Sequence, residues 1–206
     1  MFNLMVMPAS PALAVELAPN DAASRALLAA ARMLAVEAAA AGINEAEIIG
    51  SRSSRWHTRH TGSLRAWGAH QVNVGAGDYL PEIMAHYVLS TVPQITVRDS
   101  RDRLGTPDPK VLSIVVADGS AGLTERAPLA LIPGAQEAHR WCEEVLMGAS
   151  ASSEAEWLKQ RGVEEPALWL ELAGCTPKRA QVRATDATLG VGRYVAGWEV
   201  ACAPSQ

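Results

Sequence analysis

The stretch Val111-Leu112-Ser113-Ile114-Val115-Val116-Ala117, followed directly by Asp118-Gly119-Ser120, decides the fold. Apart from Ser113 the first seven residues are apolar and rich in Val and Ile. A half-exposed strand would alternate polar and apolar positions. A continuous run of this length reads instead as a central strand covered on both faces, as in the parallel sheets of α/β proteins.

Outward from this run, the chain supplies both neighbours and cover. Phe2 to Met7 is a short apolar strand stopped by Pro8 and Pro11, and Glu47 to Gly50 ends a second strand with Ile48 and Ile49. Gln94 to Arg98 alternates, placing Ile95 and Val97 inward. Asn20 and Asp21 supply helix-start chemistry for a helix over Ala22 to Ala41, closed by Gly42. Its apolar stripe is Ala23, Leu27, Leu28, Ala31, Leu34, Ala35 and Ala38, small enough to lie close against a sheet. Pro81 suits the first turn of a helix running through Glu82 to Thr91. Gly134 to Met147, Ser152 to Arg161 and Pro166 to Ala173 are three further helices. Gln71 to Val74 is a short strand, and Ala180 to Thr185 can pair with Tyr194 to Ala201. The expectation is an α/β fold in one layered domain, 1–206. Its central sheet is mostly parallel or mixed, with helices on both faces and an antiparallel edge near the C-terminus.

Composition narrows the class. With 206 residues, a formal charge of −4 and 49% hydrophobic residues, the chain can bury a sizeable core and is not disordered. Only one Phe is present, so six Trp carry most of the aromatic bulk. Cys142, Cys175 and Cys202 lack the close spacing of zinc or thioredoxin motifs, and suit reduced thiols. No apolar stretch is long enough to span a bilayer. No Lys or Arg precedes Arg25, so the charged start of a signal peptide is missing. A cytoplasmic protein is expected.

Three strand ends are where chemistry should gather, because ligands of α/β sheets sit outside the carboxyl ends of strands. These are Met7 to Pro11, Gly50-Ser51-Arg52, and Ala117 to Ser120. Asp118, Gly119 and Ser120 combine an acid, a hydroxyl and a residue that admits close backbone approach. Glu125 and Arg126 follow on the same loop. The plainer reading of Asp118 is a loop carboxylate capping exposed amides.

Ser51 to Gly77 contains no acidic residue and carries Arg52, Arg55, Arg59 and Arg65, with His57, His60 and His70, and Trp56 and Trp67 interleaved. Arg with Trp is the chemistry of phosphate and base contact. The acidity of the whole chain weighs against nucleic acid, leaving a loop whose charges flank a site. His57 and His60 are three apart and can converge in a turn, but no third donor follows at a motif spacing. His139 and Glu143 have the spacing of a helical surface pair. No nucleophile elbow, Walker loop or dinucleotide fingerprint is present, and Leu189-Gly190-Val191-Gly192 reads as a turn.

Several strings carry a family resemblance. Val116 to Ser120 with Thr124-Glu125-Arg126-Ala127-Pro128, Thr61 to Gly68, and Leu189 to Tyr194 resemble a group of actinobacterial proteins. That group lies in the class III extradiol ring-cleavage dioxygenase superfamily, of the B-subunit-like fold. The resemblance spans most of the chain through short motifs, and implies a single α/β domain. It also implies Fe(II) held by two His and one Glu, the facial triad with open positions for catechol and dioxygen. At the corresponding places this chain has Ala9, the run Gly50-Ser51-Arg52, and Glu125 at or near the family's acid/base His. Ala cannot donate to iron.

The expected function is therefore a dioxygenase-like scaffold that has lost its iron site and binds a small anionic ligand or a protein partner. Ser51, Arg52, Arg55, Asp118, Gly119 and Ser120 are its expected binding residues. Asp118, Ser120 and Glu125 are the candidates for any catalytic role. Two alternatives are an Fe(II)-dependent dioxygenase or hydrolase using His57, His60 and Glu125 (or Asp118), and an RNA-binding Arg/Trp loop. No cofactor is expected in the favoured reading, and self-association is left open.

Overall fold

The computed structural model describes residues 1–201; Cys202 lies outside them. Its main sheet contains β1 (Leu4–Met7), β2 (Glu45–Gly50), β5 (Thr96–Arg101), β6 (Leu112–Val116), β7 (Arg179–Asp186) and β8 (Arg193–Glu199). The spatial order is β5-β2-β6-β1-β8-β7. The first four run parallel, whereas β8 is antiparallel to β1 and β7 to β8. This is the mixed sheet with an antiparallel edge that the sequence predicts. β3 (Ser63–Leu64) and β4 (Ala69–Asn73) form a separate small antiparallel sheet inside the basic segment.

The pleat sorts successive residues onto two cores. Met5, Met7, Ile48, Ile114 and Val116 face one core, which α1 (Ala22–Ala40) and α2 (Leu80–Leu89) cover. Leu4, Val6, Ile49, Val115 and Ala117 face the other, under α3 (Ala135–Leu146), α4 (Ala155–Gln160) and α5 (Pro166–Ala173). All five residues of β6 are buried, as expected of a strand covered on both sides.

The side-chain stripe of α1 matches its prediction, with Ser24 buried in place of half-buried Ala23. The exchange has a cause: Asp21 caps the helix by accepting the Ser24 backbone N–H at 3.0 Å, and the Ser24 hydroxyl is needed inside. That hydroxyl meets the guanidinium of Arg193 at 2.6 Å. The strand expected over Gln94 to Arg98 is displaced to Thr96–Arg101. Arg98 and Arg101 both pair there with Glu47 of the neighbouring strand, which favours extended pairing. No helix of the described residues is long and apolar enough to cross a membrane.

Candidate functional site

The carboxyl ends of β1, β2 and β6 open onto a cavity of about 240 Å³. Ala9, Ser10 and Pro11 come from the end of β1, Ser51 from β2, and Val116 to Gly119 from β6. Arg55, Trp56 and Pro81 form one side, and Leu129, Glu164, Glu165, Leu189, Val191 and Arg193 close the other. Adjacent parallel strands ending at one level explain why three distant segments meet.

Asp118 is the chemical centre. Part of its surface faces the cavity, while protein encloses the rest, and its Oδ1 is buried without a hydrogen-bond partner. Burial pushes its pKa up to about 7, against the opposing pull of the Arg193 charge and the Ala9 backbone amide. The charge of Glu164 adds to the rise. A buried carboxyl oxygen without a partner is costly and uncommon away from functional sites.

The segment after β6 is held rigidly. Trp169 donates its indole N–H to the Asp118 carbonyl at 2.8 Å, and the Gly119 N–H bonds the Gly192 carbonyl at 2.7 Å. A methyl group at Gly119 would stand 2.6 Å from the Tyr194 hydroxyl, so only glycine lets the two strands' ends approach this closely. Tyr194 is itself fully buried and bonds His139 Nδ1, and burial raises its phenol further.

Of the expected binding residues, Ser51, Arg55, Asp118 and Gly119 reach the cavity, and the other two do not. Arg52 is held by Glu82 at 2.9 and 3.1 Å and lies over the Tyr79 ring. Ser120 is fully buried, and its hydroxyl donates to the Arg161 carbonyl at 2.6 Å, tying this loop to the end of α4. Both are structural. Glu125 is exposed and does not line the cavity.

The metal alternative is corrected as well. His57 and His60 are exposed, and neither lines the cavity with Glu125. Among the described residues no group of three or more His, Cys, Asp or Glu side chains is placed to hold a metal ion. The cavity wall offers carboxylates and two serine hydroxyls but no imidazole, so its donor set does not fit the two-His, one-Glu ferrous triad implied by the resemblance. Ala9 and Ser51, the places where the resemblance would put two donors, do lie on the wall.

The interleaved Trp residues are half-buried and pack against the first core, and the free face of Trp56 is covered by Arg55 at 4.5 Å. His139 and Glu143 approach to 3.7 Å, as their spacing predicts.

Sequence reasoning missed Arg193, Glu164, Glu165, Leu129, Leu189 and Val191. Arg193 had a signal: an arginine opening an otherwise apolar strand must find a partner or leave the core. It is fully buried against Asp186 and Ser24. No protein-family model matches the chain, and no curated protein is similar to it.

Proposed function

We propose that this protein binds a small, largely apolar molecule in the cavity at the ends of β1, β2 and β6, anchored by one hydrogen bond to Asp118. The observation that carries the reading is Asp118, which lines a concave, mostly apolar site while its enclosed Oδ1 has no hydrogen-bond partner. A cavity of about 150 Å³ accepts a benzene ring, so this one suits a ligand of roughly ten non-hydrogen atoms. Val116, Pro81, Leu129, Leu189 and Val191 supply the apolar contact.

The small anion expected from the basic segment loses its support at this site. Arg52 is turned to Glu82, Arg55 to Glu164 and Arg193 to Asp186, so each cation is already neutralised. We propose a likeness to ring-cleavage dioxygenases in the scaffold alone, because no imidazole lines the cavity.

Ligand-observed NMR with benzyl alcohol as the probe tests the reading. Saturation transfer from the protein is expected for the wild type and is expected to disappear in Ala9→Leu, whose longer side chain fills part of the cavity. Equal transfer in both proteins would place binding elsewhere and overturn the reading.

A further inference from the structure

We infer that the molecule held in this cavity carries a protonated amine, its ammonium group set against the Asp118 carboxyl and the Ser51 hydroxyl. This rests on the binding reading above and specifies the chemistry of the ligand.

Charge balance around the cavity carries the inference. Arg55 is matched by Glu164. Arg193 is matched by Asp186, with Nε to Oδ2 at 3.0 Å, and it also binds the Ser24 hydroxyl and lies 3.8 Å from Asp21. With both arginines satisfied, Asp118 and Glu165 remain as surplus acidic groups in the cavity lining. An anionic ligand would be driven against these carboxyl groups, whereas a cation restores balance in a low-dielectric site.

Ser51 provides an independent observation. It is 6% exposed, lies on the cavity wall, and accepts only a long hydrogen bond of 3.4 Å from the Ser53 N–H. One of its lone pairs is therefore left for a donor inside the cavity. An ammonium group carries three donors and no acceptor, which suits a lining that offers a carboxyl group and a hydroxyl oxygen. An alcohol offers one donor and uses none of the surplus field. An ammonium would also favour the charged carboxylate, opposing the burial that raises Asp118.

Calorimetric titration near neutral pH with benzylamine, benzyl alcohol and benzoate separates these cases, because the three share one ring and differ in charge. Benzylamine should bind about tenfold or more tightly than benzyl alcohol, the size of one charge-assisted hydrogen bond, and benzoate should bind most weakly. Asp118→Asn should erase the preference for the amine while retaining the alcohol. Glu165→Gln should reduce that preference several-fold and serves if the first variant does not fold. Benzyl alcohol binding as tightly as benzylamine would overturn the amine inference and leave the cavity reading standing. Failure of all three probes to bind would overturn both.

Discussion

Asp118 is held in a form that the unfolded chain would not choose. Its pKa rises from the model-compound value of 3.8 to about 7, chiefly through burial. Between those values the folded protein binds more protons at this site than the unfolded chain, so stability falls as pH rises through the interval and levels off above it. Replacing the carboxyl by an amide removes that dependence. Asp118→Asn is expected to be more stable than the wild type near pH 8, by on the order of 1–3 kcal/mol once cavity water is allowed for, and to match it near pH 4. Thermal unfolding at the two pH values measures this, and a variant less stable at both would show a structural carboxylate. The position of Asp118 was legible because it directly follows the most apolar run of the chain. Ser120 and Glu125 were not separable from it by reading the sequence. Which way a loop residue points depends on partners such as the Arg161 carbonyl, which comes from a remote segment.

At the scale of elements, Glu82 fastens three pieces around the cavity. Its carboxylate accepts from Arg52 after β2, from Ser100 in β5 at 2.6 Å, and from the Asp78 N–H before α2 at 2.9 Å. Burial alone would raise its pKa, but these hydrogen bonds outweigh burial and hold it below the usual carboxylate range. The stability it contributes is therefore present above its unfolded pKa and lost as pH falls through the lower folded one. Glu82→Gln should destabilise by about 2–4 kcal/mol in denaturant unfolding, since it leaves the buried network half satisfied. Arg52→Ala should cost less, on the order of 1 kcal/mol, because the guanidinium is partly exposed. It should leave benzyl alcohol affinity unchanged, whereas a ligand contact at Arg52 would show as weakened binding. Strands and helices themselves were readable from periodicity and caps. The expected end of β5 shifted because the Glu47 pairs with Arg98 and Arg101 join two strands that are far apart in sequence.

Across the whole molecule, one mixed sheet carries a core on each face. Trp169 and Trp198 are fully buried in the second core, while Trp56 and Trp67 pack at the margin of the first. If 1–206 is a single cooperative unit, tryptophan fluorescence and far-UV circular dichroism should trace one coincident denaturant transition; separated midpoints would divide the faces into independent units. The continuous apolar run of β6 made this layering deducible from sequence, and the structure sends Met5 and Met7 to one core and Leu4 and Val6 to the other. The site was only half deducible, since its far wall comes from Glu164, Leu189 and Arg193, brought in by packing rather than by any motif. Carbon-detected NMR titration of the Asp118 side-chain carboxyl examines the heart of the proposal. A ligand cavity built on Asp118, with its enclosed Oδ1 unpartnered, predicts a midpoint of about 7, displaced downward by benzylamine. A midpoint in the ordinary carboxylate range of about 4, unmoved by the amine, would contradict it.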